Sequence, residues 1–170
     1  MTRVASICLM IVAALTISGT PASAADQGSQ KFIKAAIEGN LAEVAVGKLA
    51  QEKGQSEGVR TFGGHLVTDH GAANEKATAV AKTIGVTPPT GPNAKQKAVY
   101  DKLAKLSGDK FDRELAKAMV DDHKSDIREF EKEAKKKNDP AADFANETLP
   151  TLRKHLEMAQ ALAGGKTASH

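Results

Sequence analysis

A chain of 170 residues with net charge +3, 41% hydrophobic but only 4% aromatic side chains, and one cysteine has the size of a single domain. Its wealth of Ala, Lys, Glu and Leu favours helices and argues against a β-sandwich or barrel. The charge is spread along the chain and forms no basic stripe, which sets a dedicated nucleic-acid binder aside.

Arg3, the apolar run from Val4 to Ile17, and Ala22-Ser23-Ala24 follow one another in the order of a secretory signal peptide with a small-x-small cleavage site. The run is short for a spanning helix, and Gly19, Thr20 and Pro21 break it. The expected organisation is therefore a cleaved leader over residues 1–24, a helical domain over 25–163 and a flexible tail over 164–170. Cleavage removes Cys8 and leaves a chain without thiols. Disulfides, thiol catalysis, thiolate metal ligands and iron–sulfur clusters are then excluded, so the fold must rest on its apolar core. The expected location is the periplasm or cell envelope, and nothing after Ala24 reads as a transmembrane segment.

From about Gln30 to Lys53, Phe32, Ala36, Glu43, Gly47 and Ala50 recur at spacings of three, four or seven, which predicts one amphipathic helix. Gly54 ends it. From Glu57 to Ile84, Val59, Phe62, Leu66, His70, Ala73, Ala77 and Val80 keep the same period, so the two form a helical hairpin. Gly85 and the run Thr87-Pro88-Pro89-Thr90-Gly91-Pro92 cannot continue the helix and predict a stiff connector. A short helix over Ala94 to Leu106 follows, Ser107-Gly108 interrupts it, and a long helix runs from Asp109 to about Lys137 on Phe111, Leu115, Met119, His123, Ile127 and Phe130. The last helix follows Asn138-Asp139-Pro140 and carries Phe144, Leu152, His155, Leu156 and Ala159, with a kink or a break expected at Pro150. Two long pairs joined by a long connection predict an all-α four-helix bundle with one crossover and an extra short helix in that connection. The halves share a pattern: Glu43 stands eleven residues after Phe32, and Asp122 eleven after Phe111.

On a bundle helix, residues three or four away from an inward position also face inward. Four ionisable groups are bracketed in this way, one on each long helix: Glu43 between Ala36 and Gly47, His70 between Leu66 and Ala73, His123 between Met119 and Ile127, and His155 between Leu152 and Ala159. An unpaired carboxylate inside a bundle costs several kcal/mol, so these groups need partners. One divalent transition metal, Zn²⁺, Fe²⁺, Cu²⁺, Ni²⁺ or Mn²⁺, would satisfy all four. A hydrogen-bond network from Glu43 to the imidazoles, fixing helix register without metal, would also do so. Asp69 and Asp122, each just before a His, are further ligands or acceptors that orient an imidazole.

Other features read more simply. His65, five residues before His70, and His170 in the tail are expected in solvent, and Lys135-Lys136-Lys137 forms the cationic end of a helix. Glu129, Glu131, Lys132 and Glu133 are expected on a mixed-charge exposed face that gives no docking patch, so a protein partner goes unidentified and a homodimer is left open. Thr68 and Ser125 lack a base and acid at usable spacing, and no Gly-rich phosphate cradle is present.

The succession Phe32…Leu41-Ala42-Glu43-Val44…Gly47-Lys48-Leu49-Ala50, Val59…Phe62…Asp69-His70, Ser107-Gly108…Phe111-Asp112, Asp122-His123 and Leu149-Pro150…Leu152-Arg153-Lys154-His155-Leu156 resembles the secreted bacterial ferritin-like family called domain of unknown function 4142. The resemblance runs from about Gln30 to Leu162. It implies a ferritin-like four-helix bundle and export to the periplasm or outer envelope, and brings no activity. Ferritin-like di-iron proteins carry Glu-x-x-His motifs. This sequence has none, so di-iron chemistry is not carried over, and a mononuclear site of three His and one carboxylate is the sharper expectation. Three functions follow: an exported non-enzymatic metal binder, a metal-dependent oxidoreductase with an open coordination position, or a metal-free envelope stress or interaction module.

Overall fold

The structure is a computed structural model and describes residues 26–165. The expected leader, and His170 with most of the tail, lie outside the described residues. Five helices occur within them: α1 (Gln27–Lys53), α2 (Glu57–Thr83), α3 (Ala94–Ala104), α4 (Gly108–Glu133) and α5 (Pro140–Ala163). Starts are set by side chains that satisfy the free N–H groups of a first turn. Asp26 Oδ1 accepts from Ser29 N at 2.8 Å, Ser56 Oγ from Val59 N at 3.3 Å, and Asp139 Oδ1 from Ala141 N at 2.9 Å beside Pro140. Asn93 and Gln96 form a reciprocal capping box on α3.

α1 pairs with α2 and α4 with α5, and the pairs meet where α2 packs on α5 and α1 on α4. Small residues permit the closest of these approaches. A Cβ on Gly47 would lie 2.7 Å from the Gly63 carbonyl, and one on Gly63 would lie 2.6 Å from the Gly47 carbonyl, so backbones touch where α1 crosses α2. The core divides into two apolar clusters. One holds Ile33, Ile37, Ala77, Ala81, Phe130 and Phe144; the other holds Val46, Leu49, Phe62, Leu66, Phe111 and Leu115. The first therefore gathers the start of α1, the end of α2, the end of α4 and the start of α5. The connection after α2 leaves that end, where Ile84 and Val86 are buried, and reaches the other, where Leu103 packs, so it crosses the length of the bundle. α2 and α4 consequently run parallel, as a crossover bundle requires.

Several boundaries and local expectations change. α3 stops at Ala104 and α4 at Glu133, where Asn138 takes a positive φ of 55° in the turn before α5. α5 is one helix through Pro150: Phe144, Ala145, Leu149 and Leu152 are buried on both sides of the proline and hold the segment together across the missing N–H. Lys136 is more than a cationic helix end, and Glu133 is buried, not on an exposed face. Lys136 Nζ lies 3.0 Å from Glu133 Oε2, 3.1 Å from Asp26 Oδ2 and 2.8 Å from Ser29 Oγ, tying α1 to the α4–α5 turn. His65 is half-buried and not fully in solvent.

Candidate metal centre

Between the two apolar clusters lies a polar layer. Glu43, His70, His123 and His155, one from each long helix, are all buried there, with His123 and His155 at 0% exposure. His70 Nε2 and His155 Nδ1 are 3.3 Å apart, His70 Nε2 is 2.7 Å from Glu43 Oε2, and His123 Nε2 is 3.6 Å from the same oxygen. Nitrogen donors of His70, His123 and His155 all lie within 4.8 Å of one another, as do donors of Glu43, Asp122 and His123.

The outer nitrogens fix the tautomers, because a carbonyl or carboxylate oxygen can only accept. His70 Nδ1–H donates to Asn40 Oδ1 at 2.9 Å, His123 Nδ1–H to the Met119 carbonyl at 3.0 Å, and His155 Nε2–H to Asp69 Oδ2 at 2.9 Å. Each imidazole is thus held by its outer edge, and its second nitrogen turns toward the other two and Glu43. Hydrogen bonding of the distal nitrogen is how metal-ligating histidines are oriented. Two nitrogens on one tetrahedral Zn²⁺ at about 2.0–2.1 Å stand roughly 3.3–3.4 Å apart. The 3.3 Å between His70 Nε2 and His155 Nδ1 matches that spacing.

The inner atoms are incompletely satisfied. His123 Nε2 and both Glu43 oxygens are buried without a partner of hydrogen-bond geometry, the 2.7 Å ion-pair contact to His70 notwithstanding. No lysine or arginine lies within ion-pair distance of Glu43 among the described residues. Burial pushes the Glu43 carboxyl up, but His70 and His123 outweigh it and the net direction is down. Burial pulls the His70 imidazole down, and the Glu43 carboxylate more than reverses this. Without an ion, the second proton of the group therefore resides on His70, facing Glu43. Burial carries His155 down to about 4, so its inner lone pair is free at neutral pH. Burial and then the Glu43 carboxylate raise Asp122 to about 9, and the same two causes raise Asp126 to about 7. The orphaned inner atoms, the converging imidazoles and the surplus of carboxylates fit a divalent cation.

The two aspartates differ in place. Asp69 meets His155, across the α2–α5 interface from its own neighbour His70, and orients that ring. Asp122 joins Glu43 and His123 on the α1–α4 side. Asn40 and Asp126 went unremarked in the sequence, yet Asn40 stands three residues before Glu43 and Asp126 three after His123. Bracketing by apolar residues, Ala36 and Val44, marks Asn40 in the sequence; Asp126 has Asp122 and His123 before it and escapes that rule.

The sequence pattern of the family described as "Domain of unknown function (DUF4142)" matches residues 15–162. The chain belongs to this family. Among solved structures, a DUF305 fragment from Deinococcus radiodurans is similar, with a TM-score of 0.73 and 13% identity over 83% of this chain and 98% of that one. At that identity the likeness is one of fold alone. No curated protein matches the DUF4142 chain. No described helix is long and apolar enough to cross a membrane.

Proposed function

We propose that this DUF4142 chain is an exported protein that binds one divalent transition metal at the centre of its bundle through His70, His123, His155 and Glu43. The observation that carries the reading is the outward anchoring of all three rings, to Asn40, Met119 and Asp69, which leaves three nitrogens converging on a buried carboxylate. In a purely structural network a buried inner acceptor such as His123 Nε2 would be expected to meet a donor, and it has none. Export rests on the leader-like order of Arg3, the apolar run and Ala22-Ser23-Ala24, and places the protein in the periplasm or envelope.

Imidazole and carboxylate together suit Zn, Fe, Cu, Ni or Mn, and the donor set names no single one. The test is elemental analysis of residues 25–170, purified without a His-tag from periplasmic extract, beside the H123A/H155A double variant. Near-stoichiometric metal in the first and none in the second is expected. Absence of metal from both, persisting after incubation with Zn²⁺, Fe²⁺, Cu²⁺, Ni²⁺ and Mn²⁺, would overturn the reading in favour of a polar structural core. Recovery of processed protein from the cytoplasmic fraction alone would overturn export.

A further inference from the structure

The ligand set is closed off from water. His70, His123, His155 and Glu43 are 0–4% exposed, and an apolar cluster stands between them and each end of the bundle. An ion from solution must therefore enter from the side. Two cavities open there. One, of about 340 Å³, lies between α1, α3 and α4 and reaches Glu43 and Asp122; the other, of about 150 Å³, lies between α2 and α5 and reaches His70 and Asp69. The larger has room for roughly ten waters at about 30 Å³ each, enough to carry a cation with its hydration shell.

Four carboxylates and three lysines line the larger cavity, and they differ in depth. Lys95, Lys102 and Lys117 are all exposed, and Lys102 is paired with the half-buried Glu114 at 2.6 Å. The other three carboxylates step inward, from exposed Asp121 through half-buried Asp122 to buried Glu43. Charges at the mouth are screened by water and salt, whereas those on the floor act at lower dielectric, so the floor decides what is drawn in. Glu43 Oε2 takes both imidazole contacts, to His70 and His123; Oε1 has neither, and no partner of hydrogen-bond geometry. An Asp122 oxygen stands within 4.8 Å of the donors of Glu43 and His123. Two carboxyl groups thus meet on the floor, with no lysine or arginine in ion-pair contact with either among the described residues. The smaller cavity offers less to a cation. Lys76 and Glu147 pair on its lining at 3.1 Å, and the Asp69 Oδ2 beside it already accepts from His155 Nε2.

We infer that the cavity under α3 is the route by which the folded chain takes up and exchanges its ion, with Asp122 and Glu43 Oε1 receiving the cation on the floor. This rests on the metal reading and adds to it the path and the order of contacts. Asp122 holds the cation while water is shed, and Glu43 carries it on to the three rings, which its other oxygen already faces. α3 covers the route. Leu103 is its one buried residue, and Val99, at 36% exposure, stands on the cavity lining. A bulky group at position 99 therefore closes the cavity and replaces no ligand.

The probe is Zn²⁺. Residues 25–170 contain no cysteine, so Val99→Cys supplies a single thiol that a bulky, neutral pyrene maleimide alkylates in the folded chain. Calorimetry gives the Kd for Zn²⁺, and transfer of Zn²⁺ from the loaded chain to an excess of chromophoric chelator in a stopped-flow instrument gives the release rate. An obstruction on the path slows arrival and departure alike and leaves the equilibrium in place. Alkylated V99C should release Zn²⁺ about tenfold or more slowly, with Kd changed less than about threefold, whereas unmodified V99C matches the unsubstituted chain. Alkylated A72C, on the smaller cavity, should release at the unsubstituted rate. Asp122→Asn should slow association, the ratio of release rate to Kd, by about tenfold. Release from alkylated V99C at the unsubstituted rate would overturn the inference, as would slowing confined to alkylated A72C or an association rate unmoved by Asp122→Asn. An unsubstituted chain that takes up no Zn²⁺ in the calorimeter would overturn the metal reading and the route with it; Zn²⁺ bound and released regardless of the adduct on V99C would overturn the route alone.

Discussion

Two buried polar clusters lie in the same bundle and are built differently. At one end, Ser29 Oγ sits 2.7 Å from Glu133 Oε1 and beside Asp139, and Lys136 bridges Glu133, Asp26 and Ser29. Cation and anion meet, and Lys136 keeps contact with water at 29% side-chain exposure. At the centre, three imidazoles and Glu43 are buried deeper, with no lysine or arginine against the carboxylate among the described residues, and His123 Nε2 has no hydrogen-bond partner. A cluster that serves only to join helices completes its own hydrogen bonds, because every open atom costs about 1–3 kcal/mol. The central cluster tolerates that cost in the absence of an ion. Its rings are fastened from outside and open within, and a group added from solution would complete it.

The sharpest way to break this contrast is to remove one member from each cluster. Glu43→Gln and His123→Ala should each weaken Zn²⁺ binding by at least ~100-fold, beyond the 10–100-fold typical of losing an outer partner. Glu133→Gln should leave metal content unchanged in the same calorimetric titration. Asp69→Ala removes the acceptor that sets the His155 ring and should weaken Zn²⁺ binding by about 10–100-fold, with His155 still present to bind. Glu133→Gln should instead lower unfolding free energy in urea by about 1–3 kcal/mol, since a buried acceptor and its partners are disturbed. A metal-binding defect in Glu133→Gln would erase the difference between the two regions.

Titration of the metal-free chain sharpens the same comparison. His155 lies at about 4 in the fold against an ordinary 6.5, so the unfolded chain takes up its proton first as pH falls. Its contribution to stability is full above pH 6.5 and is lost between 6.5 and about 4. His155→Phe should reduce that slope in urea melts of the metal-free protein. Asp122 behaves oppositely: it lies at about 9 in the fold against 3.8, so stability is lost as pH rises from 3.8 toward 9. Asp122→Asn should therefore raise the thermal midpoint of the metal-free chain at pH 7 by about 2–4 °C. A lowered midpoint would show that the Asp122 charge is compensated in the fold.

Much of this was legible in the sequence because a helix repeats. Bracketing by apolar residues at three and four positions found Glu43, His70, His123 and His155, which the structure brings together from four different helices. The equal spacing from Phe32 to Glu43 and from Phe111 to Asp122 also acquires a meaning. α1 and α4 run in opposite directions, so the two phenylalanines lie in opposite apolar clusters while Glu43 and Asp122 meet at the middle. The cross-helix partnerships were less legible. Asp69 orients His155 and not its neighbour His70, and Lys136 holds Glu133 with Asp26, because these pairings depend on helix rotation and on which faces pack. Helix α5 passes Pro150 without a break because burial on both sides outweighs the lost hydrogen bond, a tertiary effect that local propensity does not contain.

The central claim is that the three rings turn their inner nitrogens toward one point, where an ion displaces the proton that His70 Nε2 holds against Glu43. Long-range proton–nitrogen correlation of the imidazoles, recorded before and after one equivalent of Zn²⁺, reads this atom by atom. The account predicts a proton on Nδ1 of His70 and His123 and on Nε2 of His155 in both states, and large Zn²⁺-induced nitrogen shifts at Nε2, Nε2 and Nδ1 respectively. Ring nitrogens that do not move on addition of Zn²⁺, or that move at the outer atoms bound to Asn40, Met119 and Asp69, would contradict it.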